Sequence, residues 1–174
     1  MNRNDFTLIS IRGRVAFSIC CFENTLKYFN YDTSNWRTVL ERLWTYTNIE
    51  FFDDWHYPIA EILPECILEF NTFKDENYEY LSEEQFQALQ KLYKNSNDII
   101  KDIIKFIFDI GISELYGSLV NYGQRTLDNL EVLLNFMVSN SISLPDINKF
   151  KLLSYNDCDG WGNKGDGTEY SSIL

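Results

Sequence analysis

One histidine, three prolines and no run of apolar residues approaching membrane-spanning length are the first shortages in this 174-residue chain. Each closes off a class of protein. So few prolines beside 45% hydrophobic residues argue against disorder, and the length suits one ordinary core but not two comfortable domains. Without a stretch of about eighteen apolar residues there is no candidate span, and Val15–Phe22 runs into Glu23 and Asn24 rather than a small-residue cleavage site. The four cysteines, Cys20, Cys21, Cys66 and Cys158, form no CxxC or Cys/His spacing suited to zinc, so they read as reduced thiols of a cytoplasmic protein. Basic residues are scarce too: fifteen against twenty-six acids leave a net charge of −11. That balance makes direct contact with nucleic acid or an anionic membrane unfavourable and a basic protein the expected partner.

The acids that are present are concentrated. Between Glu41 and Glu84 twelve acids face only Arg42 and Lys74, so this stretch holds ten of the eleven net negative charges. Trp44, Tyr46, Phe51, Phe52, Trp55, Tyr57, Phe70, Phe73, Tyr78 and Tyr80 are interleaved with them. Carboxylates steer and select a cationic visitor, and rings anchor it.

Periodicity predicts an all-α fold: a single-domain bundle of six to seven helices over 1–153, followed by an irregular Gly/Asp-rich segment, 154–174, packed on the same domain. Val15, Ile19, Phe22 and Leu26 stripe a first helix ending near Tyr28 or Asn30. A second starts after Asp32, Thr33 or Ser34, carries Val39, Leu40, Leu43 and Trp44 inward and frays near Thr47. Asp53 and Asp54 cap a third, with a break at Pro64. Residues 71–80 form a loop, and Ser82 with Gln85 forms the capping box of a fourth helix. Asn97 or Ser96 caps the isoleucine-rich segment from Ile99 to Ile110, expected to be the central helix with Gly111 as its C-cap. A short helix over Ser113–Tyr122 closed by Gly123, a longer one from Thr126 ending at Asn140, and a small helix with Ile147, Phe150 and Leu153 complete the set.

Catalytic signatures are missing. No GxSxG or comparable nucleophile motif is present, and the chain reads as a non-enzyme without a cofactor. Asp157, Asp159 and Gly162 imitate part of a calcium loop, but Trp161 and Thr168 stand where oxygen ligands belong. Glu61, Glu65 and Glu69, four apart, with His56 offer a carboxylate–metal hydrolase as an alternative, although a di-iron bundle site would want Glu-x-x-His on partner helices. A solvated acidic face is the simpler reading.

Asp53-Asp54-Trp55 leading into Pro58-Ile59 and Pro64-Glu65, with the tail Asp159-Gly160-Trp161-Gly162, resembles immunity proteins of bacterial polymorphic toxin and contact-dependent growth inhibition systems. The resemblance spans the chain in character and transfers no residue role by position. It implies tight binding and neutralisation of a cognate toxin, in many such systems a basic nuclease domain, by occlusion of its active site. On this reading Asp53, Asp54, Trp55, Tyr78, Glu79 and Tyr80 form one contact patch, and Asp157, Asp159, Trp161, Asp166 and Tyr170 a second. A small acidic helical adaptor for another basic protein is the alternative from the binding class.

Overall fold

In a computed structural model describing all 174 residues, Ser10 accepts a hydrogen bond from the Gly13 N–H (3.2 Å) and so starts helix α1, Ile11–Tyr28. The stripe Val15, Ile19, Phe22 and Leu26 is fully buried, and so is almost everything else on α1. This helix packs against the second, sixth and seventh helices and against turns at 45–47, 147–150 and 167–170. The centre of the fold is therefore α1, not the isoleucine-rich segment.

Burying α1 on all sides buries its charges. Arg12 donates to the carbonyls of Tyr46 (2.5 Å) and Ile49 (3.1 Å) and lies over the Phe52 ring. Arg14 donates to the carbonyls of Phe6, Gly123 and Thr7, and its guanidinium covers Tyr155. Burial lowers the Arg14 pKa to about 10, against the opposing fields of Tyr155 and Glu114. Both arginines act as ties between distant segments, since the carbonyls they reach satisfy guanidinium donors that burial takes from water.

Asp32 accepts from Ser34 N–H (3.0 Å), a 3-10 turn follows at Thr33–Trp36, and α2 runs Arg37–Trp44 before tightening to a 3-10 turn at Thr45–Thr47. Helix α3 is Asp53–Ile62 and α4 is Pro64–Glu69. Leu63 between them is extended (φ −60, ψ 139), as a residue preceding proline tends to be, so the break falls at Pro64. Asp53 and Asp54 occupy the first turn of α3 and are not its caps; Phe52 holds the N-cap position without a side-chain bond. The predicted Ser82–Gln85 capping box opens α5, Glu83–Lys94, and Asn97 caps α6, Asp98–Ile112.

Gly111 is not a C-cap. It lies inside α6, where a Cβ would meet the Trp55 ring at 2.7 Å, so its value is the close approach of an indole. Nor do residues 113–123 form a helix. They make turns that end in three consecutive left-handed residues, Asn121, Tyr122 and Gly123 (φ 47, 62 and 72). Helix α7, Gln124–Ser139, then begins on a glycine with no capping side chain, and Glu114 substitutes: its Oε1 accepts from the N–H groups of Arg125 (2.9 Å) and Thr126 (3.2 Å). Seven α-helices and no strand make up the fold, with one isolated antiparallel bridge between Ile9 and Ser154.

Residues 154–174 lie along α1. The Arg12 N–H donates to the Trp161 carbonyl, and Gly162 and Gly167 press against Ser10 and Thr47 so closely that a Cβ would overlap either side chain. The buried Glu23 carboxylate fastens the end, accepting from the Trp44 indole (3.1 Å), the Ser171 hydroxyl (2.5 Å), and the Ser172 N–H and hydroxyl (2.7 Å each). Gly160, Gly162 and Gly167 thus serve close packing, whereas a Cβ at Gly165 would meet open space. No helix is long and apolar enough to cross a membrane, and all four cysteines are free.

Candidate protein-binding face

Helical spacing places Asp53, Asp54, Tyr57 and Glu61 on successive turns of α3. Glu61 is the organiser of this face. Its two carboxylate oxygens accept from the N–H groups of Glu79 (2.6 Å) and Tyr80 (2.8 Å), which pins the 76–80 loop beside α3. The Tyr80 phenol is held above its ordinary pKa by desolvation and then by the negative surroundings of Glu79, Glu61, Tyr57 and Asp54. From the other side, Tyr116 in the 113–123 turns reaches over α3 and its hydroxyl meets His56 Nδ1 at 2.9 Å. Its pKa too is raised, by desolvation first and then by Tyr57 and Asp53. Asp53, Asp54, Tyr57, Glu61, Glu79, Tyr80 and Tyr116 therefore share one face.

The carboxylates of this face, like most in the chain, are free of basic partners. Asp53, Asp54 and Glu79 are exposed and form no ion pair, whereas Glu41 pairs with Arg37, Glu50 with Lys164, and Glu65 with Lys105. Tyr57, Tyr80 and Tyr116 are exposed large rings, Tyr116 to 72%, and Phe51 at the start of α3 to 69%. Unpaired carboxylates next to rigid rings that bear a hydroxyl suit a cationic protein surface.

Trp55 does not belong to this face. It is completely buried, its indole N–H donating to the Leu43 carbonyl (3.2 Å) and its ring set edge-on to Tyr46 and stacked on Phe108. Helical geometry turns it inward, because at about 100° per residue it lies on the side of α3 opposite Asp53 and Tyr57. Tyr78 is half-buried, stacked on Phe73 with Phe86 beside it, and supports the loop rather than presenting it.

Several of the tail residues are engaged within the chain itself. Trp161 is half-buried against Phe52 (4.4 Å between ring centres), and Tyr170 is half-buried and stacked on Phe150. Asp166 accepts from the Thr168 N–H (3.0 Å) and hydroxyl (2.6 Å), which lowers its pKa and closes a local turn. The half-buried Asp157 gives its carbonyl to the N–H groups of Gly160 and Gly162, and the exposed Asp159 holds a left-handed conformation (φ 53) in that same turn. The tail approaches the start of α3 through the Phe52–Trp161 contact.

The residues of the carboxylate–metal alternative are not brought together. The break at Leu63 separates Glu61 from Glu65; Glu61 holds the 79–80 loop, Glu65 faces Lys105 (3.2 Å), and His56 meets Tyr116. No group of three histidine, cysteine or acidic side chains converges as a metal site anywhere in the chain. Tyr57 and Glu61, not among the expected contact residues, were available from their spacing to Asp53. Tyr116 was not, because only tertiary folding carries the 113–123 turns to α3. Comparison of the chain with protein-family models, curated proteins and solved structures finds no match.

Proposed function

We propose that this chain is an immunity protein that neutralises a cognate toxin, a basic nuclease domain, by seating the α3 face in the toxin's positively charged cleft. The observation that carries the reading is the convergence of three segments on one face with unpaired Asp53, Asp54 and Glu79 between exposed Tyr57, Tyr80 and Tyr116. The carboxylates accelerate encounter and compete with the phosphates a nuclease binds; the rings slow dissociation. Phe51 and Tyr116, at the edges of this face, are the anchors best placed to be covered.

The test is co-expression with the toxin domain encoded beside this chain, scored by growth and by co-purification. Growth rescue by the wild type and its loss in D53K/D54K/E79K, with association slowed about tenfold or more at low salt and less so at high salt, is the expected outcome. Rescue and association rate unchanged in the triple variant would overturn the assignment of this face. Failure to rescue, with capture of a non-toxic basic protein instead, would replace the toxin by another partner.

A further inference from the structure

The single histidine of the chain holds two tyrosines in place on the α3 face. The half-buried His56 ring stacks on Tyr57 (4.9 Å between centres, 19° between planes) and rests against the buried Phe108 (5.6 Å), while Tyr116 stands edge-on to it (6.1 Å, 64°) with its hydroxyl on Nδ1 (2.9 Å). Both tyrosines stay in water nonetheless, Tyr57 at 49% exposure and Tyr116 at 72%. Fixing a ring while leaving it wet removes in advance part of the ordering cost that a binding side chain normally bears. Asp53 precedes His56 by three residues and Tyr57 by four, one helical turn from each, and its charge is among those that hold the Tyr116 pKa up, after desolvation and Tyr57. An acid in the first turn of a helix needs no partner of its own, so Asp53 alone selects nothing. The rings make the selection.

The geometry points to Tyr57, Tyr116 and Asp53 as the seat of one arginine side chain of the partner, its guanidinium lying against the tyrosine rings and its donors turned to the carboxylate. This rests on the reading of the α3 face as a protein-binding surface and names the side chain that face takes. A guanidinium is planar, weakly hydrated and carries its donors in a fork, so it can stack on a ring and bond a carboxylate at once. The ammonium of lysine is a strongly hydrated point charge and loses more by leaving water. Phenol oxygens beside the carboxylate offer further acceptors for the remaining N–H groups. A quaternary ammonium would gain from the rings alone, since it has no donor for Asp53 or the phenols.

Amide-resolved NMR titration of the full chain with the N-acetyl methylamides of arginine and lysine, and with tetramethylammonium, tests the seat without any toxin. The arginine derivative should shift the amides of Asp53, His56, Tyr57 and Tyr116 and bind about threefold or more tighter than either of the others, the discrimination expected of one exposed cation–π contact. Tyr57→Leu, at an exposed position, should abolish that preference. Asp53→Asn should weaken the arginine derivative by a similar factor or more, whereas Glu84→Gln, which removes an exposed acid from α5, should leave it unchanged. Equal affinity for the arginine and lysine derivatives, a preference that survives Tyr57→Leu, or no saturable shifts at these residues would overturn the seat. Growth rescue in co-expression without arginine selectivity would overturn it and keep the immunity reading; arginine selectivity without rescue would support it and remove the toxin.

Discussion

Replacing Glu23 by alanine removes the acceptor for four donors at once, and the structure indicates where the cost falls. The Trp44 indole N–H is buried with its residue only 2% exposed, so it is left without water and costs about 1–3 kcal/mol. Ser171 is half-buried and Ser172 exposed, so both recover water when the tail lifts and contribute mainly the lost charge-assisted bonds. A total of about 3 kcal/mol follows, at the lower edge of what breaking a buried charged network costs, about 3–5 kcal/mol. For a domain of this size that lowers the melting midpoint by roughly 6–12 °C. The diagnostic readout is local. Cys20 lies beneath the tail, its thiol directed at the Tyr170 carbonyl (3.5 Å), and burial with the Glu23 field pushes its pKa up to about 12. In a C66S/C158S background, Glu23→Ala should speed reaction of Cys20 with a disulfide reagent by about tenfold or more, as opening becomes easier by at least about 1.4 kcal/mol. An unchanged labelling rate with a midpoint within about a degree of the parent would refute the role given to Glu23.

Gly111→Ala should destabilise by about 1–3 kcal/mol despite the better helix propensity of alanine, because the new methyl meets a fully buried Trp55 ring; urea unfolding measures it. Glu114→Ala should release the first turn of α7 at a cost of about 1–2 kcal/mol or more, seen as faster hydrogen exchange at the Arg125 and Thr126 amides, with Glu114→Gln milder. Stability should be fully present below about pH 9 and decline above it. Burial keeps the Cys20 and Cys21 thiols protonated in the folded chain beyond the pH at which the unfolded chain ionises them, so the folded state binds more protons there. C20A/C21A should make the decline shallower up to about pH 10, leaving the smaller contribution of Cys66, beyond which Tyr46 and Tyr93, both raised by burial, take over; urea midpoints between pH 7 and 11 read this out.

What was legible in the sequence was local. The Ser82–Gln85 capping box, the Asn97 cap and the break at Pro64 depend on neighbours within four residues, and all three are found where spacing places them. The choice of central helix was not legible. A greasy isoleucine face on α6 outweighs, by any count along the chain, an α1 that carries Arg12, Arg14 and Glu23. Only the carbonyls of Phe6, Thr7, Tyr46, Ile49 and Gly123 and the donors of Trp44, Ser171 and Ser172, all distant in sequence or outside the helix, make burial of those charges tolerable. The same reason hid the shape of the candidate face. Asp53, Asp54, Glu79 and Tyr80 could be named from composition, Trp55 was misplaced because its orientation depends on helical phase, and Tyr116 arrives through turns whose left-handed residues carry little sequence signal.

The dependence of α1 on remote partners has a consequence for biosynthesis. This helix is synthesised well before the segment it depends on, since Glu23 and Cys20 find their partners in Tyr170–Ser172. Until those residues are made, a nascent chain holds its innermost segment with mismatched polar groups beside Val15, Ile19, Phe22 and Leu26. Such a chain completes its fold only once Tyr170–Ser172 are available, and in the interval offers chaperones an apolar stripe.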